Sequence, residues 1–457
     1  MRALVLGAGP SGLAAAQALL DAGVEVTLLE ASEHVGGLAG SRQIGGHRVD
    51  LGPHRLHQES SAEVRALVGG DEGLLRRQRL GCIHLDGCSV PYPLQPLPTL
   101  RALGPRRAAD YFAGVLSARL SPRGEADSYA VEARRRVGQP LYRALYENSA
   151  RKVWGVPAEA LDGAQARARV GAEGARSLLS RLFAGGSSGH YLYPKAGASG
   201  LAYAAWTERL QRRGLVLLRG ARAVALARGT GTELRVRAHT SRGSQELCAE
   251  RVISSLPLTA LCAALDSPAA ATAARGLRFR SVVLLHLVVS RSRLHAEDVH
   301  YFPDLHTPFA RLTEQKAFGS APGTPAQQSA LTLDFYDDPG GPLVTASAEQ
   351  LFERAAPRLS MFGIERKDVL AMDTTVAHNA YPVLDRGHRV AREKALDEVA
   401  KFEGLLTTGR GGLLLHINQH HAIETGLAAG RHALTRGAVS RVWRQQARRF
   451  EEFRIVD

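Results

Sequence analysis

A glycine-rich turn near the start of the chain has the residue types and the spacing that hold a pyrophosphate. Gly7, Gly9 and Gly12 form a GxGxxG pattern. Pro10 and Ser11 lie between its last two glycines. Gly7 allows a tight turn, Gly9 lets the backbone come close to a pyrophosphate, and Gly12 permits close packing of a helix on a strand. Because the N-terminus of that helix supplies free N–H donors, the segment predicts dinucleotide binding.

A carboxylate and a second glycine cluster follow this turn. Glu30 ends the next apolar run, where its side chain can accept hydrogen bonds from ribose hydroxyls. These residues alone fit NAD as well as FAD. The pair Gly36-Gly37 comes next, with Ser41 and Arg42 close behind it. This segment resembles the glycine-pair extension of FAD enzymes of the amine-oxidase-like superfamily, in which the arginine lies near the diphosphate and the flavin. We therefore expect FAD.

Hydrophobic periodicity indicates which elements position these residues. The apolar run over 1–6 predicts a strand, 13–20 predicts a helix, and 24–29 predicts a second strand. Further along, helices are predicted over 106–120 and 130–146, and a glycine-serine loop over 185–189. Later segments predict strands at 215–218, 224–226, 233–237, 251–255, 282–290 and 329–335. The last two are long and predict an antiparallel sheet that covers the flavin.

The fold class predicted from this order is α/β, with a Rossmann-type FAD-binding domain and a discontinuous helical and antiparallel-sheet substrate domain. The FAD-binding domain is expected in three parts, 1–66, 196–268 and 391–457. The helical substrate-side region is expected over 67–195 and the sheet-rich substrate domain over 269–390. A chain that leaves a nucleotide domain and returns to it twice predicts a site in the cleft between the domains.

Composition and charge exclude several classes of protein. At 457 residues and 45% hydrophobic content, the chain is long enough for two cores. It has neither an apolar run that could span a membrane nor a signal-peptide pattern, so we expect a cytoplasmic enzyme. The net charge is +14, but six lysines stand against 52 scattered arginines, so no nucleic-acid partner is expected. The surplus of positive charge would instead steer an anionic small-molecule substrate toward the site. The arginine-rich segment 441–449 is expected to form a solvated helix face.

The cysteines and paired histidines give no metal signal. The four cysteines lack zinc or redox-motif spacing, so free thiols are expected. Cys82 and Cys88 could approach each other across a hairpin over 85–87. His420 and His421 are adjacent, and neighbouring histidines rarely bind one ion from a helix start. We therefore expect no metal.

A Gly-Pro turn carries the first candidates for catalysis. Gly52-Pro53-His54 ends a strand, and His57 follows three residues later. The segment resembles the Gly-Pro-His-x-x-His segment of UDP-galactopyranose mutases. That resemblance implies that His57 lies beside the isoalloxazine ring and that the Gly-Pro-His run belongs to the cofactor site. The alternative is a histidine that is satisfied within its own turn.

Two further segments resemble substrate-binding parts of the same mutases. Residues 308–318 are similar to their Arg-x-x-Glu-x-Lys-x-Phe segment, which implies that Arg311 faces the flavin and a sugar diphosphate. A guanidinium can bond two diphosphate oxygens at once. The alternative is a strand-end salt bridge between Arg311 and Glu314. Tyr381 resembles the mutases' tyrosine whose hydroxyl reaches substrate phosphate, and a buried core tyrosine is the alternative.

The segment 409–426 resembles the C-terminal FAD segment of the whole superfamily. The resemblance implies FAD contacts from five residues, namely Gly409, Arg410, Gln419, Ile423 and, upstream, Val224. His416 and Asn418 stand where the mutases carry a substrate-contacting tyrosine and an aspartate. Both are retained as catalytic candidates.

The resemblance to the mutases implies a redox-neutral rearrangement of a nucleotide-linked or other glycosyl substrate. Its nucleophile is N5 of reduced FAD, which requires a reductant such as NAD(P)H. Ser149 replaces the mutases' uridine-contacting tyrosine, and none of Arg167, Arg169 and Arg176 matches the spacing of their mobile-loop arginine. The alternative is a protoporphyrinogen-oxidase-like oxidoreductase that removes a hydride from a C–N or C–C bond.

Overall fold

The computed structural model describes residues 1–92, 94–120, 126–170 and 189–455. Arg176 and the predicted loop over 185–189, apart from Gly189, lie outside the described residues. The rest has the α/β fold predicted from the sequence, with a parallel sheet, packed helices and several antiparallel sheets.

The described strands, in chain order, are β1 (Arg2–Leu6), β2 (Glu25–Leu29), β3 (Ser41–Ile44), β4 (His47–Asp50), β5 (Leu56–His57), β6 (Leu74–Gln78), β7 (Gly81–Leu85), β8 (Cys88–Tyr92), β9 (His190–Pro194), β10 (Val216–Leu218), β11 (Arg222–Arg228), β12 (Leu234–Thr240), β13 (Gly243–Ala249), β14 (Arg251–Ser254), β15 (Arg278–Val289), β16 (Val299–Tyr301), β17 (Arg311–Glu314), β18 (Ser329–Asp337), β19 (Val369–Val383) and β20 (Leu405–Thr407).

The described α-helices, in chain order, are α1 (Pro10–Asp21), α2 (Ala62–Leu67), α3 (Gly70–Gly73), α4 (Pro96–Leu103), α5 (Pro105–Leu120), α6 (Tyr129–Val137), α7 (Gln139–Tyr142), α8 (Asn148–Trp154), α9 (Gly163–Arg169), α10 (Ser199–Arg212), α11 (Leu258–Ala264), α12 (Pro268–Ala274), α13 (Gln315–Phe318), α14 (Ala348–Leu359), α15 (His388–Val399), α16 (Gly409–Gly412), α17 (Gln419–His432) and α18 (Val439–Gln446). Short 3-10 turns lie at Gly37–Ala39, Ser360–Phe362, Arg366–Asp368 and Ala447–Glu452.

The parallel sheet collects strands from distant parts of the chain. Its order is β10-β2-β1-β14-β20, and every neighbouring pair is parallel. β1 buries all but its first residue, as expected for a central strand covered on both faces. The turn from β1 into α1 needs Gly7, whose φ is +98°. This geometry presents the end of β1 and the start of α1 at one edge of the sheet.

The second large sheet has the order β19-β15-β18-β17-β16-β7-β8. β15 and β18 pair antiparallel, which confirms the pairing predicted for 282–290 and 329–335. β15 alternates between two buried environments, because Val283 and Leu285 belong to the core that includes α14. Val282 and Leu284 face the opposite way and pack near Leu51, on the side of the Gly-Pro turn. The sheet thus forms one wall of the cleft.

The helix predicted over 130–146 is not continuous. α6 ends at Val137 because Gly138 has a φ of +79° and Pro140 follows it. A π-helical turn over Arg143–Glu147 then leads into α8. Such turns place side chains differently from a regular helix and often occur near functional sites.

Two segments, the arginine-rich stretch and the Cys82–Cys88 hairpin, differ from what the sequence suggests. The segment 441–449 is not wholly a solvated face, because Arg444 is buried and its guanidinium bonds Glu393 and Asp397. The predicted hairpin β7–β8 is present, but its register sets Cys82 opposite Pro91 rather than opposite Cys88.

In the part of the chain that the structure describes, no helix has the length and apolar character needed to cross a membrane.

Candidate active site

A cleft of about 170 Å³ opens between the Gly-Pro turn, strands β17 to β19 and the start of α17. Its lining includes nine of the predicted site residues, namely Pro53, His54, His57, Arg311, Tyr381, Arg410, His416, Asn418 and Gln419. All the residues proposed as catalytic from the sequence therefore meet in one place, although they come from distant segments.

The glycine turn leaves the N-terminus of α1 open. This helix begins at Pro10, and within the described parts of the chain no side chain caps its first N–H groups. A Cβ on Gly37 would lie 3.0 Å from the Gly9 Cα, so the two glycines face each other across a narrow gap. A Cβ on Gly409 would lie 2.3 Å from Ser11 Oγ, which shows how closely the C-terminal segment approaches the turn. This uncapped helix end fits a pyrophosphate.

Glu30 directly follows β2, next to the glycine turn. One carboxylate oxygen accepts from the Ala8 N–H at 2.8 Å and the other from the Ser32 N–H at 2.9 Å. A carboxylate offers about four acceptor positions, so capacity for ribose hydroxyls remains. The backbone bonds fix the acid where the sequence predicts a ribose contact.

Ser41 and Arg42 lie on the hairpin β3–β4 and are not among the described residues that line the cleft. The Ser41 hydroxyl donates to Asp50 at 2.6 Å and accepts from the Gly200 N–H at 2.7 Å. The Tyr193 hydroxyl donates to the other Asp50 oxygen at 2.5 Å. Burial raises the pKa of Asp50 to about 6 despite these bonds. The network fastens the hairpin to the N-terminus of α10.

The two histidines of the Gly-Pro turn have different environments. His54 Nε2 lies 2.9 Å from the Leu51 carbonyl oxygen, so its ring is held within the turn. Burial lowers the pKa of His54 to about 4, which keeps it neutral. The His57 ring stacks on that of His420 with centroids 5.6 Å apart, at the edge of the cleft. His57 Nδ1 accepts from the Glu59 N–H at 3.2 Å, so the alternative of a histidine with a partner in its own turn also holds for His57.

Arg311 pairs with Asp334 and not with Glu314. Arg311 and Asp334 are register partners on β17 and β18, and the guanidinium bonds the buried carboxylate. Glu314 instead accepts from the Ser329 hydroxyl at 2.5 Å and the Leu294 N–H at 3.0 Å. Residues three apart on a strand point to opposite faces, so the suggested Arg311–Glu314 salt bridge is wrong.

Tyr381 stands inside a cationic cluster. The Arg410 guanidinium lies 5.3 Å from the centroid of its ring, and Arg311 and Arg169 line the same cavity. Burial by itself raises the pKa of Tyr381, but these three guanidinium groups outweigh it and lower the pKa below its ordinary value. The Tyr381 hydroxyl is therefore a stronger hydrogen-bond donor than that of a free tyrosine.

His416 and Asn418 differ in what they offer the cleft. The His416 ring stacks on Tyr381 with centroids 5.2 Å apart, and its Nδ1 has no hydrogen-bond partner among the described residues. Burial and the charges of Arg169 and Arg410 lower the pKa of His416 well below its ordinary value. It therefore presents a neutral imidazole. Asn418 lines the cleft at the start of α17, and its backbone N–H donates to His421 Nδ1 at 3.4 Å.

Arg169 lines the cleft, although sequence spacing did not place it there. It ends α9, and its guanidinium lies 5.2 Å from the centroid of the Trp154 ring. It lines both the first cavity and a second one, also of about 170 Å³. Aromatic rings dominate that second lining, namely Tyr92, Tyr129, Tyr146, Trp154, Tyr301, Phe302, Tyr336 and Tyr381. Ser149 lies there too, as the sequence comparison with the mutases implied.

The remaining predicted cofactor residues support the site from behind. The Gln419 amide donates to the His54 carbonyl oxygen at 3.3 Å, which joins α17 to the Gly-Pro turn. Val224 lies at a bulge in β11, between Ala223 and Ala225. The Ile423 side chain is buried in the core around α1 and contributes through packing.

Comparison with known proteins agrees with this arrangement. A family model for flavin containing amine oxidoreductase matches residues 10–434. An L-amino-acid oxidase of Pseudechis australis is 53% identical over 57 residues, which span 12% of this chain and 11% of that protein. This match therefore covers only a small part of either protein.

Three solved structures share the fold. Reduced UDP-galactopyranose mutase has a TM-score of 0.78 at 19% identity, covering 98% of this chain and 97% of its own. A candidate protoporphyrinogen oxidase from Exiguobacterium sp. 255-15 has a TM-score of 0.72 at 19% identity, covering 94% of this chain and 97% of its own. Cyclohexylamine oxidase from Brevibacterium oxydans IH-35A has a TM-score of 0.64 at 15% identity, covering 98% of this chain and 99% of its own.

The fold and the site together define a flavin-dependent enzyme. The chain belongs to the flavin-containing amine oxidoreductases, and its cofactor is FAD. The residues present fit that cofactor, because the start of α1 is uncapped and Gly9 has no Cβ to block a pyrophosphate there. The free Nδ1 of His416 provides a polar atom on the cleft side.

Proposed function

We propose that this enzyme catalyses a mutase-like rearrangement of an anionic glycosyl substrate, such as a nucleotide-linked sugar. The observation that carries the proposal is the convergence of Arg169, Arg311 and Arg410 on one end of the cleft around Tyr381. Among the described residues that line the cleft, Asp334 is the one carboxylate, and Arg311 already neutralises it. The cluster keeps a surplus of positive charge, which attracts a diphosphate.

The same charge disfavours an amine substrate. A protonated amine would enter beside two guanidinium groups that no carboxylate of the described lining neutralises. Like charges at this range in a partly dry site repel strongly. The family includes amine oxidases, but we propose that this cleft accepts an anion.

The shape of the site suits a substrate with three parts. The arginine cluster lies between the flavin-side cavity, which includes His57, and the aromatic cavity, which includes Trp154. An anionic centre held by Arg169 and Arg311 would place one end of the substrate in each cavity. A nucleoside diphosphate sugar has this order, with the sugar toward the flavin and the base among the aromatic rings.

Each cleft residue then has a defined task. Arg311, oriented by Asp334, holds the departing diphosphate, and the Tyr381 hydroxyl donates to a phosphate oxygen. His416 is neutral and offers a hydrogen bond without adding charge. Reduced FAD, when bound, would supply the nucleophile for the anomeric carbon. We propose that FAD itself is held by the glycine turn at Gly9 and by Glu30.

The second candidate function is oxidation of an apolar anionic substrate by hydride transfer to FAD. The observation that favours it is the aromatic lining of the second cavity, which accepts an apolar group as readily as a base. The replacement of a stacking tyrosine by Ser149 also weakens the case for uridine. In this alternative the arginine cluster would bind a carboxylate.

Flavin redox state distinguishes the two functions. The purified holoenzyme is incubated anaerobically with nucleotide sugars after reduction by dithionite, and in parallel as the oxidised enzyme, while product and flavin absorbance are followed together. Turnover by reduced enzyme alone, with no net change of flavin oxidation state, supports the mutase-like proposal. Bleaching of oxidised flavin by the substrate overturns it in favour of oxidation. Arg169→Gln serves as the binding control, since it removes one cation of the cluster and should raise KM.

A further inference from the structure

A cluster of metal-binding side chains lies behind the wall of the aromatic cavity. Cys82 and His84 are two apart on β7, so they share one face of the sheet. His300 is the register partner of Cys82 on the neighbouring strand β16. One donor atom from each of the three lies within 4.8 Å of the others. The intervening residue Ile83 points to the opposite face and lines the cavity.

The spacing of the two imidazoles suits a shared ion. His84 Nε2 and His300 Nδ1 are 3.2 Å apart. Two nitrogens bound to tetrahedral zinc at about 2.0 Å lie about 3.3 Å from each other. One thiolate and two imidazoles form a donor set that zinc prefers, with the fourth position left for water or another side chain. The His295 ring, 5.6 Å from that of His300, borders this side of the cluster.

The surroundings support and enclose the cluster. The Ser89 hydroxyl lies 3.3 Å from His84 Nδ1, so the second ring nitrogen of His84 is also oriented. Partners of this kind fix the direction of metal-binding histidines. Phe302 stacks on His84 with centroids 4.5 Å apart, and Phe362 packs edge-on at 5.0 Å from His300. The cluster is therefore dry on one side and reachable past Ser89, which is exposed.

We propose that Cys82, His84 and His300 bind one Zn²⁺ ion as a three-ligand site. The ion would join β7 to β16, the parallel pair within the seven-stranded sheet. The side chains of Ile83 and Tyr301 lie on the other face of these two strands, away from the cluster, where they line the aromatic cavity. Zinc therefore fixes the wall against which the substrate packs. Binding forms Zn–S and Zn–N bonds and releases the Cys82 thiol proton to solvent, with no change of oxidation state.

Metal analysis of the holoenzyme tests this site without reference to activity. Protein produced with added zinc is dialysed against a weak chelator, and zinc and FAD per chain are measured by elemental analysis and absorbance. We expect about one zinc per chain in the wild type. Cys82→Ser and His300→Gln should lower zinc content or affinity at least about tenfold while FAD content stays unchanged.

Cys88→Ser is the matched control, because Cys88 lies on the same hairpin but opposite Leu85 rather than in the cluster. It should keep its zinc. If Cys82→Ser does not fold, His84→Gln replaces it, since His84 is only half-buried. Wild-type protein that takes up no zinc, or retains another metal in its place, overturns the proposal. Equal zinc in the cluster variants also overturns it, and the imidazole contact is then an ordinary hydrogen bond.

Discussion

Arg311 and Asp334 face each other on neighbouring strands and form an ion pair at the floor of the cleft. The Asp334 side chain is fully buried, whereas that of Arg311 keeps 20% of its surface exposed. Although burial lowers the pKa of Arg311, the Asp334 carboxylate raises it well above its ordinary value. The pair therefore keeps the Arg311 guanidinium charged, with its exposed side directed into the cleft.

Removing Arg311 should affect both stability and binding. Arg311→Ala leaves a buried, unpaired carboxylate, which costs about 3–5 kcal/mol of the free energy of unfolding. Arg311→Gln with Asp334→Asn should recover most of that stability but not substrate binding, because the cation is still missing. Denaturant unfolding and substrate titration measure the two effects, and both proteins should retain FAD. Normal substrate affinity in the double variant would remove Arg311 from the binding site.

Gly9→Ala should lose FAD without loss of folding. A Cβ at Gly9 would lie 3.9 Å from the nearest non-neighbouring protein atom, Gly37 Cα, so the protein itself can accept it. A pyrophosphate packed against Gly9 would clash with that Cβ. Thermal unfolding of the apoprotein should be unchanged while FAD affinity falls. Gly12→Ala is the contrast, since its Cβ would lie 1.8 Å from the Gly7 carbonyl oxygen and should destabilise the fold itself.

Glu30→Ala should weaken FAD binding by about tenfold to a hundredfold, the value of one hydrogen bond to a charged group. Its carboxylate is held by the N–H groups of Ala8 and Ser32 beside the glycine turn. Glu33→Ala, an exposed neighbour, should leave flavin content unchanged. Flavin absorbance after purification and equilibrium dialysis provides the measurement. Full retention of FAD by Glu30→Ala would place the ribose contact elsewhere.

The Asp50 network predicts a specific pH dependence of stability. Burial raises the folded-state pKa of Asp50 to about 6 from 3.8. The folded protein therefore binds this proton more tightly than the unfolded chain does. The stabilisation from protonated Asp50 is complete below pH 3.8, and it is lost as the pH rises through about 6. The loss amounts to about 3 kcal/mol.

Asp50→Asn has no charge to bury and isolates this contribution. The difference in free energy of unfolding between wild type and Asp50→Asn should fall between pH 4 and 7, as measured by denaturant titration at each pH. A difference that stays constant over that range would show that Asp50 titrates normally. Asp21→Asn, on an exposed helix end, is the control.

The arrangement of the residues proposed to hold FAD could be predicted from the sequence because they lie close together in the chain. The glycine turn and Glu30 belong to one strand-turn-helix-strand unit, and each residue acts through backbone geometry close to its own position. The Gly-Pro turn is equally local, which is why His57 was found. Spacing alone carries this information.

The rest of the cleft depends on contacts between distant segments, so sequence spacing predicted fewer of its residues. Arg169 was missed because it enters the cleft only when α9 packs with its guanidinium over Trp154. Asp334 was missed because it joins Arg311 across strands and not along the chain. The suggested Glu314 partner failed for the related reason that strand alternation separates it from Arg311.

The strand order β10-β2-β1-β14-β20 has a consequence for how the protein is made. β1 at residues 2–6 finds its sheet neighbours at 25–29 and 251–254, and the outermost strand lies at 405–407. α1 also packs against α17 so closely that a Cβ on Gly426 would lie 2.1 Å from the Ser11 carbonyl oxygen. During synthesis β1 is made well before β14 and β20, so the parallel sheet closes only after residues 405–407 have been made. Contacts with FAD that need both α1 and α17 therefore form only after this late closure.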